Sequence, residues 1–263
     1  MKKYKLIAID IDGTLLTNDK KILIETKKDI TDAYNRGRII CICTGRGYPA
    51  AKRYVDELDL NIPLILYNGS RVRMSKDPKV LFNQVIDELV AKNVYDIINR
   101  HDGTCCFWKE DTLYFNKNDK YALYYEDLTK VKPNFITDIY DGLFENINKF
   151  IWFADSEFLE IVQQEILNDV VGIDYFKSNT ELLEIVPENV NKGNTLKYLG
   201  ESLGIIQEEI IAVGDEANDL SMIKFAGMGV AMGNAKDIVK ENAQYITLSN
   251  EENGVGEVIK KFM

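Results

Sequence analysis

Residues 5–16 read KLIAIDIDGTLL, a short isoleucine-rich run that ends in two carboxylates and a turn. A continuous apolar run of this length, bounded by turn residues, is typical of a parallel strand that is buried on both faces. Asp10 and Asp12 stand where the run ends, and Gly13 and Thr14 then turn the chain away. Functional groups of open α/β sheets gather at the carboxyl ends of the strands, so we expect this pair to belong to a functional site. Two neighbouring acids also need a cation or a shared proton to relieve their repulsion.

The chain around this run alternates between strands and helices. Hydrophobic periodicity and turn residues predict helix 22–36, strand 38–43, helix 48–58 and strand 63–67. The same rhythm returns later, where the predicted elements are helix 192–203, strand 209–213, a helix through residue 225, strand 228–232, helix 235–242 and strand 245–248. Strands separated by helices imply right-handed parallel crossovers. The predicted fold class is therefore α/β, with a doubly wound, Rossmann-like parallel sheet.

The middle of the chain follows a different rhythm. The predicted elements there are helix 84–100, strands 104–108 and 112–116, strand 149–154, helix 156–168 with Ser156 as its N-cap, and strands 173–177 and 182–186, while residues 120–128 are ambiguous. Helices mixed with hairpins predict a small α+β domain inserted into the first one. We therefore predict a core domain of residues 1–82 and 188–263, interrupted by an inserted domain of residues 83–187.

Composition narrows the classes of function. The chain has 263 residues, 46% of them hydrophobic and 28% charged, as in ordinary globular proteins. Its net charge of −10 argues against a nucleic-acid partner or an anionic membrane surface, and no apolar run approaches membrane-spanning length. Four cysteines without C-x-x-C spacing are expected to be buried free thiols, and a cytoplasmic location is expected. The oligomeric state is left open, and a monomer fits the sequence.

Further polar residues fall at the ends of other predicted strands. Thr44 follows the strand 38–43, and Asp215 and Asp219 follow the strand 209–213, while Lys192 begins a helix. Each of these residues alone is weak evidence, because an aspartate after a strand is often only a turn residue or a helix cap. Their joint appearance at one edge of a predicted parallel sheet points to a single site.

Together these stretches resemble the four motifs of the haloacid dehalogenase superfamily, and most closely its Cof-type phosphatases. The matching segments are Asp10-Ile-Asp12-Gly13-Thr14-Leu15, Thr44-Gly45-Arg46, Lys192-Gly193 and Gly214-Asp215-x-x-Asn218-Asp219. The long insert lies between Thr44 and Lys192, which resembles the branch that carries a large α/β cap of the C2 type. The resemblance implies that the inserted domain is a cap that closes over the strand ends and selects the substrate.

The resemblance also implies a hydrolase acting on phosphoric monoesters. Asp10 is the candidate nucleophile, which would form an aspartyl-phosphate, and Asp12 is the candidate general acid and base. The resemblance implies that Mg²⁺ is held by Asp10, the backbone carbonyl of Asp12 and Asp215. Asp219 would be a further ligand or an anchor behind the ligands, although an aspartate at this position could also simply cap the following helix.

Phosphate binding is implied for a second set of residues. The hydroxyl of Thr44, the amide of Gly45 and the ammonium of Lys192 would hold the non-bridging phosphate oxygens. Asn218 would orient Lys192 or the phosphate, and Arg46 would contact the substrate or form a surface ion pair. The Asn-Gly pair at residues 68–69 follows another predicted strand and could border the site.

The substrate implied by the resemblance is a small phosphorylated metabolite, particularly a sugar phosphate, but no residue of the sequence proves that choice. A phosphomutase that uses the same aspartate stays open as an alternative, as does a non-catalytic phosphate-binding regulator. A receiver-type signalling domain shares the strand-end aspartates and the lysine, but it has no need of a long insert.

Overall fold

The computed structural model describes residues 4–155, 157–160, 163–164 and 170–263. The chain divides into two compact units. The first consists of Met1–Gly45, Ala51–Phe82 and Asn191–Met263, and the second of Arg46–Ala50 and Asn83–Val190. The division predicted from the sequence, with residues 83–187 as an inserted, substrate-selecting cap, stays a prediction.

An eight-stranded sheet forms the centre of the first unit. Its strand order is β14-β13-β12-β1-β2-β3-β4-β5. The bounds are β1 Leu6–Ile9, β2 Ile39–Cys43, β3 Pro63–Leu66, β4 Arg71–Met74, β5 Val80–Asn83, β12 Ile210–Gly214, β13 Met228–Ala231 and β14 Tyr245–Ile246. The six strands from β14 to β3 pair in parallel, which confirms the predicted crossovers. The chain leaves β1 toward β2 and β3 and later returns on its other side at β12, so β1 lies at the switch point of the sheet.

Strand β1 is buried on both faces, as its isoleucine-rich sequence predicts. Leu6 and Ala8 pack in one core with Leu196 and Met222 of the helices that follow. Ile7, which points to the opposite face, is also fully buried. Because the strand is enclosed, its polar groups lie at its ends, and the carboxyl end carries Asp10.

The helices match the predicted ones but are mostly shorter. Their bounds are Ile24–Asn35, Tyr48–Leu58, Glu88–Arg100, Lys120–Thr129, Lys192–Ser202, Leu220–Phe225, Asp237–Lys240 and Gly254–Phe262. The helix predicted from residue 84 begins at Glu88, because Asp87 caps it by accepting from the amides of Leu89 and Val90. The ambiguous residues 120–128 are helical, with Asp119 as their N-cap. No helix among the described residues has the length and apolarity that crossing a lipid bilayer requires.

One edge of the core sheet differs from the prediction of a purely parallel sheet. Strand β4 runs antiparallel to β3, and β5 extends the sheet beyond it. Arg71 and Arg73 pair with Leu66 and Leu64 of β3, so charged residues alternate along β4. A short strand in which arginines alternate with apolar residues carries little hydrophobic signal, which is why the sequence did not reveal this one.

The second unit is built on a six-stranded sheet in the order β10-β11-β9-β6-β7-β8. The bounds are β6 Thr104–Lys109, β7 Thr112–Phe115, β8 Asn134–Phe135, β9 Ile147–Phe153, β10 Ile173–Asn179 and β11 Leu182–Pro187. Phe107, Phe150 and Trp152 pack on one face against Val94 and Ile98 of the helix Glu88–Arg100. Residues 157–160 and 163–164 are helical. The predicted N-cap Ser156 and the rest of the helix 156–168 lie outside the described residues.

Candidate active site

The carboxyl ends of β1 and β12 lie side by side. Ile9 pairs with Val213 in parallel register, and the amide of Asp10 donates to the carbonyl of Val213 at 3.1 Å. Asp10 and Asp215 directly follow the two strands, so the sheet itself brings two segments together that are separated by some 200 residues of chain.

Three carboxylates converge at this point. Asp10, Asp215 and Asp219 each offer one oxygen atom, and these atoms all lie within 4.8 Å of one another. All three side chains are buried, with exposed fractions of 5%, 7% and 0%. Buried carboxylates this close together require compensation by positive charge or by protons.

Lys192 supplies part of that compensation. Its Nζ atom donates to Oδ1 of Asp10 and to Oδ1 of Asp219, at 2.6 Å in both cases, and its side chain is fully buried. Burial by itself lowers the pKa of the Lys192 ammonium, but the two carboxylates outweigh that effect and raise the pKa above its usual value. Lys192 is therefore held as a cation.

Gly193 explains how Lys192 comes so close to Asp219. A Cβ atom at Gly193 would lie 2.3 Å from the carbonyl oxygen of Ser221, so a side chain there would push apart the helices Lys192–Ser202 and Leu220–Phe225. The amide of Gly193 also donates to the hydroxyl of Ser221 at 3.1 Å. A glycine directly after the lysine is therefore what the close helix packing requires.

Asp219 uses both of its oxygens inside the protein. Oδ1 accepts from Lys192, and Oδ2 accepts from the backbone amides of Asp215 and Glu216 at 2.9 and 3.0 Å. Gly214 permits this fold of the loop, because a Cβ atom at that position would lie 2.5 Å from the Cβ of Asp219. The side chain of Asp219 thus fixes the loop that carries Asp215.

Asp215 is oriented from the other side by the segment that follows β1. The hydroxyl of Thr14 donates to Oδ1 of Asp215 at 2.7 Å. Gly13 has a φ angle of +76°, and a Cβ atom there would lie 2.2 Å from Oδ2 of Asp215, so only glycine fits both the backbone and the contact. Asn234 secures the same turn by donating to the carbonyl of Gly13 at 2.8 Å.

The electrostatics of the cluster favour a bound cation. Burial raises the pKa of the Asp10 carboxyl well above its usual value, against the opposing effect of Lys192, and the nearby acids raise it further. Burial also raises the pKa of Asp215 to about 7, although the hydrogen bond from Thr14 works against it. Three carboxylates face one ammonium, and every donor atom is oxygen. This set fits a hard divalent cation such as Mg²⁺, which prefers carboxylate ligands.

Asp12 lies apart from the carboxylate cluster. Its Oδ1 accepts from Nζ of Lys20 at 3.0 Å, and its side chain is 40% exposed. β1 ends at Ile9, so the strand alternation that would place residues 10 and 12 on one side no longer applies. The backbone of Asp12, rather than its carboxylate, is what the sequence resemblance assigns to the metal.

Thr44, Gly45 and Asn218 meet around Asn68, a residue that the sequence predicted only to border the site. The backbone N–H of Asn68 donates to the carbonyl of Thr44 at 3.1 Å, and the side-chain Oδ1 of Asn68 accepts from Nδ2 of Asn218 at 3.1 Å. A Cβ atom at Gly45 would lie 2.8 Å from that same oxygen. Tyr67 and Asn68 both adopt positive φ angles, 52° and 58°, a costly backbone that clusters at functional sites.

Arg46 belongs to the second unit, whereas Thr44, Gly45 and Asn68 belong to the first. In that unit, burial raises the pKa of the Tyr125 hydroxyl, and the guanidinium of Arg46 lowers it slightly. Lys20, Thr14 and Asn234 were not predicted to belong to the site. Only Thr14 had a signal, as the hydroxyl beside the two aspartates.

Comparisons with known proteins find relatives that match nearly the whole chain. A family model described as haloacid dehalogenase-like hydrolase matches residues 7–259. The Bacillus subtilis protein YitU, a 5-amino-6-(5-phospho-D-ribitylamino)uracil phosphatase, is 30% identical over 99% of this chain and 98% of its own length. The protein YcsE of the same organism, which carries the same phosphatase name, is 33% identical over 98% of this chain and 96% of its own.

Solved structures show the same similarity. The crystal structure of a haloacid dehalogenase-like hydrolase from Bacteroides thetaiotaomicron superposes with a TM-score of 0.92 at 30% identity, covering 99% of this chain and 100% of the other. Both units are therefore represented in a single homologous chain.

Proposed function

Because the chain belongs to the haloacid dehalogenase-like hydrolase family and is a phosphatase of that family, we propose that it hydrolyses small phosphate monoesters through an aspartyl-phosphate on Asp10. The observation that carries this proposal is the position of Asp10. Its carboxylate lies buried at the end of β1, 2.6 Å from the ammonium of Lys192 and within 4.8 Å of the oxygens of Asp215 and Asp219.

The reaction takes place in two displacements. A carboxylate oxygen of Asp10 attacks phosphorus while the ester bond to the leaving alkoxide breaks, and Asp12 gives the alkoxide a proton. Water then attacks the phosphorus of the aspartyl-phosphate, Asp12 takes the proton of that water, and inorganic phosphate leaves while the Asp10 carboxylate is restored. Splitting the hydrolysis in this way replaces one difficult step with two easier ones.

The metal of this proposal is Mg²⁺, held by the carboxylates of Asp10 and Asp215 and by the backbone carbonyl of Asp12. When bound, it supplies positive charge that offsets the charge of the phosphate and of the attacking carboxylate. Asp219 acts as an anchor, since its two oxygens already bind Lys192 and the amides of the 215–216 loop.

The phosphate group is held by residues from three segments, namely the turn after β2, the start of the helix Lys192–Ser202 and the loop after β12. Thr44, the amide of Gly45 and Lys192 bind its non-bridging oxygens, and Asn218 is steered toward it by the hydrogen bond to Asn68. Arg46 contacts the leaving group, and the inserted unit acts as the cap that selects it.

The substrate class is phosphorylated sugars and sugar alcohols. The two named Bacillus subtilis relatives act on a ribityl phosphate, an ester of a primary alcohol on a polyol chain. An alkoxide of that kind is a poor leaving group, so its departure depends on a proton donor such as Asp12. The test is phosphate release from a panel of sugar phosphates, the ribityl compound and an aryl phosphate. Sugar isomerisation with little net phosphate release would identify a phosphomutase instead.

A cytoplasmic location also belongs to this proposal. All four cysteines are free and buried. Burial raises the pKa of the Cys41 thiol to about 12, which keeps it protonated and unreactive at neutral pH. Unpaired thiols suit a reducing compartment.

Removal of divalent metal is expected to stop phosphate release, and Mg²⁺ is expected to restore it. Mg²⁺ should also stabilise the protein, by about 2.7 kcal/mol at a concentration ~100 times Kd, because it binds the folded state alone. Thermal melts with and without chelator measure this shift. Asp215→Asn should lose both the dependence of activity on Mg²⁺ and the stabilisation by Mg²⁺. Asp29→Asn should keep both, because Asp29 is a buried aspartate that pairs with Lys260 and is not one of the proposed ligands. Full activity in chelator would contradict the assignment.

Asp12→Ala is expected to slow the hydrolysis of alkyl phosphates by roughly 10²–10⁴-fold, the contribution of a positioned general acid. The rate of the first step on an aryl phosphate should fall much less, because an aryloxide leaves without a proton. Single-turnover rates of leaving-group formation on both kinds of ester measure the difference. Equal losses on both would show that Asp12 is not the acid.

A further inference from the structure

We propose that Lys20 is a positioning residue for Asp12, which holds the carboxylate in place for proton transfer to the leaving group. This inference rests on the proposed function, in which Asp12 is the general acid and base. It adds a residue that belongs to none of the four motif segments, in the turn that follows the first of them.

The contact itself is direct. Nζ of Lys20 donates to Oδ1 of Asp12 at 3.0 Å, with exposed side-chain fractions of 49% and 40%. Ion pairs this exposed contribute little to folding stability. The pair therefore has little structural value, while its geometric effect is to restrict the rotation of the Asp12 carboxylate, which lies outside the buried cluster.

The backbone around Lys20 is built to make this contact. Residues 16–22 form a hairpin, in which Leu16 bridges both Asp12 and Ile22. The amide of Lys20 donates to the carbonyl of Thr17 at 2.9 Å, which closes the turn. Lys20 adopts a φ angle of +59°, a left-handed conformation that glycine or asparagine would enter at lower cost. A strained lysine at a hairpin tip, aimed at a proposed catalytic acid, favours a functional role.

The hairpin is also fixed from outside. Nδ2 of Asn250 donates to the carbonyl of Leu16 at 2.8 Å, and the amide of Asn18 donates to Oε1 of Glu251 at 2.7 Å. Both partners come from the loop before the final helix and belong to the same unit. Lys20 is thus presented from a turn held at two points, which limits how far its ammonium can move away from Asp12.

Lys20→Met is expected to lower kcat about tenfold for alkyl phosphates, a part of the roughly 10²–10⁴-fold that a positioned acid supplies. The single-turnover rate of leaving-group release from an aryl phosphate should stay within about twofold, because that release needs no proton. Loss of one positive charge should raise KM for both esters by a similar factor. Lys20→Arg should recover most of kcat on the alkyl ester, since a guanidinium also donates to a carboxylate.

Lys21→Met is the matched control, because Lys21 is the exposed neighbouring lysine on the same turn. It should leave kcat on both esters unchanged. The decisive comparison adds Lys20→Met to Asp12→Ala. If Lys20 acts through Asp12, the double variant should show the same leaving-group dependence as Asp12→Ala alone.

Two results would overturn the proposal. One is an equal loss of kcat on alkyl and aryl esters in Lys20→Met, and the other is a full additional loss in the Asp12→Ala background. If Asp12→Ala keeps its selective effect on alkyl esters in that experiment, only the role of Lys20 falls. If Asp12→Ala shows no selectivity, the acid role of Asp12 falls as well.

Discussion

Asp10→Asn is expected to abolish phosphate release, with kcat reduced by at least about 10⁴-fold, because the amide cannot form the covalent intermediate. The fold should survive. Asparagine has nearly the same shape as aspartate, its side-chain oxygen can still accept from Lys192, and burial already disfavours the charged form of Asp10. Steady-state phosphate release and a thermal melt on the same preparation measure both quantities.

Asp29→Asn provides the matched control for this variant. Asp29 is also a buried aspartate of the first unit, and its Oδ2 lies 2.8 Å from Nζ of Lys260. Its loss should lower stability somewhat but leave kcat unchanged. If Asp10→Asn keeps more than a small fraction of wild-type turnover in a preparation without contaminating phosphatase, Asp10 is not the nucleophile.

Lys192→Met is expected to reduce both stability and activity. The substitution leaves Asp10 and Asp219 buried without their ammonium, and breaking a buried ion pair in this way typically costs about 3–5 kcal/mol. The phosphate also loses a positioned donor, which should lower kcat by about 10²–10³-fold. Denaturant unfolding in chelator measures the first effect, and turnover per folded molecule measures the second.

Lys260→Met is the control for Lys192→Met, because it removes a paired lysine at a position outside the proposed site. It breaks the ion pair with Asp29 but lies outside the carboxylate cluster. We expect a small loss of stability and a normal kcat. If Lys192→Met, corrected for its folded fraction, were as active as Lys260→Met, Lys192 would have no part in binding the phosphate.

The sequence predicted those parts of the molecule in which hydrophobic pattern and chain order leave few alternatives. The enclosed strand β1, the parallel crossovers around it and the insert between Thr44 and Lys192 are of this kind. The antiparallel β4 was missed, because its alternating arginines hide the hydrophobic pattern of a buried strand. The helix predicted from residue 84 was too long at its start, because the capping residue Asp87 makes it begin at Glu88.

For the site, the sequence pointed to the buried cluster of Asp10, Asp215 and Asp219 but did not show where each predicted side chain points. Asp10 and Asp12 are two positions apart in the chain, yet Asp10 is buried in the cluster and Asp12 is partly exposed beside Lys20. That separation depends on where β1 ends, which a sequence fixes only to within a few residues. Asp219 could be a ligand, an anchor or a helix cap until its hydrogen bonds are seen.

Two glycines beside predicted site residues mark close contacts within the site. Gly193 and Gly214 each stand next to a predicted site residue. A Cβ atom at Gly193 would strike the backbone of Ser221 in another helix, and one at Gly214 would strike the side chain of Asp219 in the same loop. A glycine beside a charged residue at a strand or helix end therefore indicates close approach of other atoms of the site. Lys20 gave no such signal, since lysines on surface turns are common.

The most direct test of the account is to trap the phosphorylated enzyme. Asp12→Ala should hydrolyse its aspartyl-phosphate slowly, while an aryl phosphate still loads it quickly, so acid quenching during turnover should capture the intermediate. We predict a phosphoryl group on the peptide that contains residues 5–16, assigned to Asp10 by fragmentation, and no label when Asp10→Asn is added. Release of the aryl alcohol with no phosphoryl group on the enzyme, or with the label on another residue, would contradict the covalent route through Asp10.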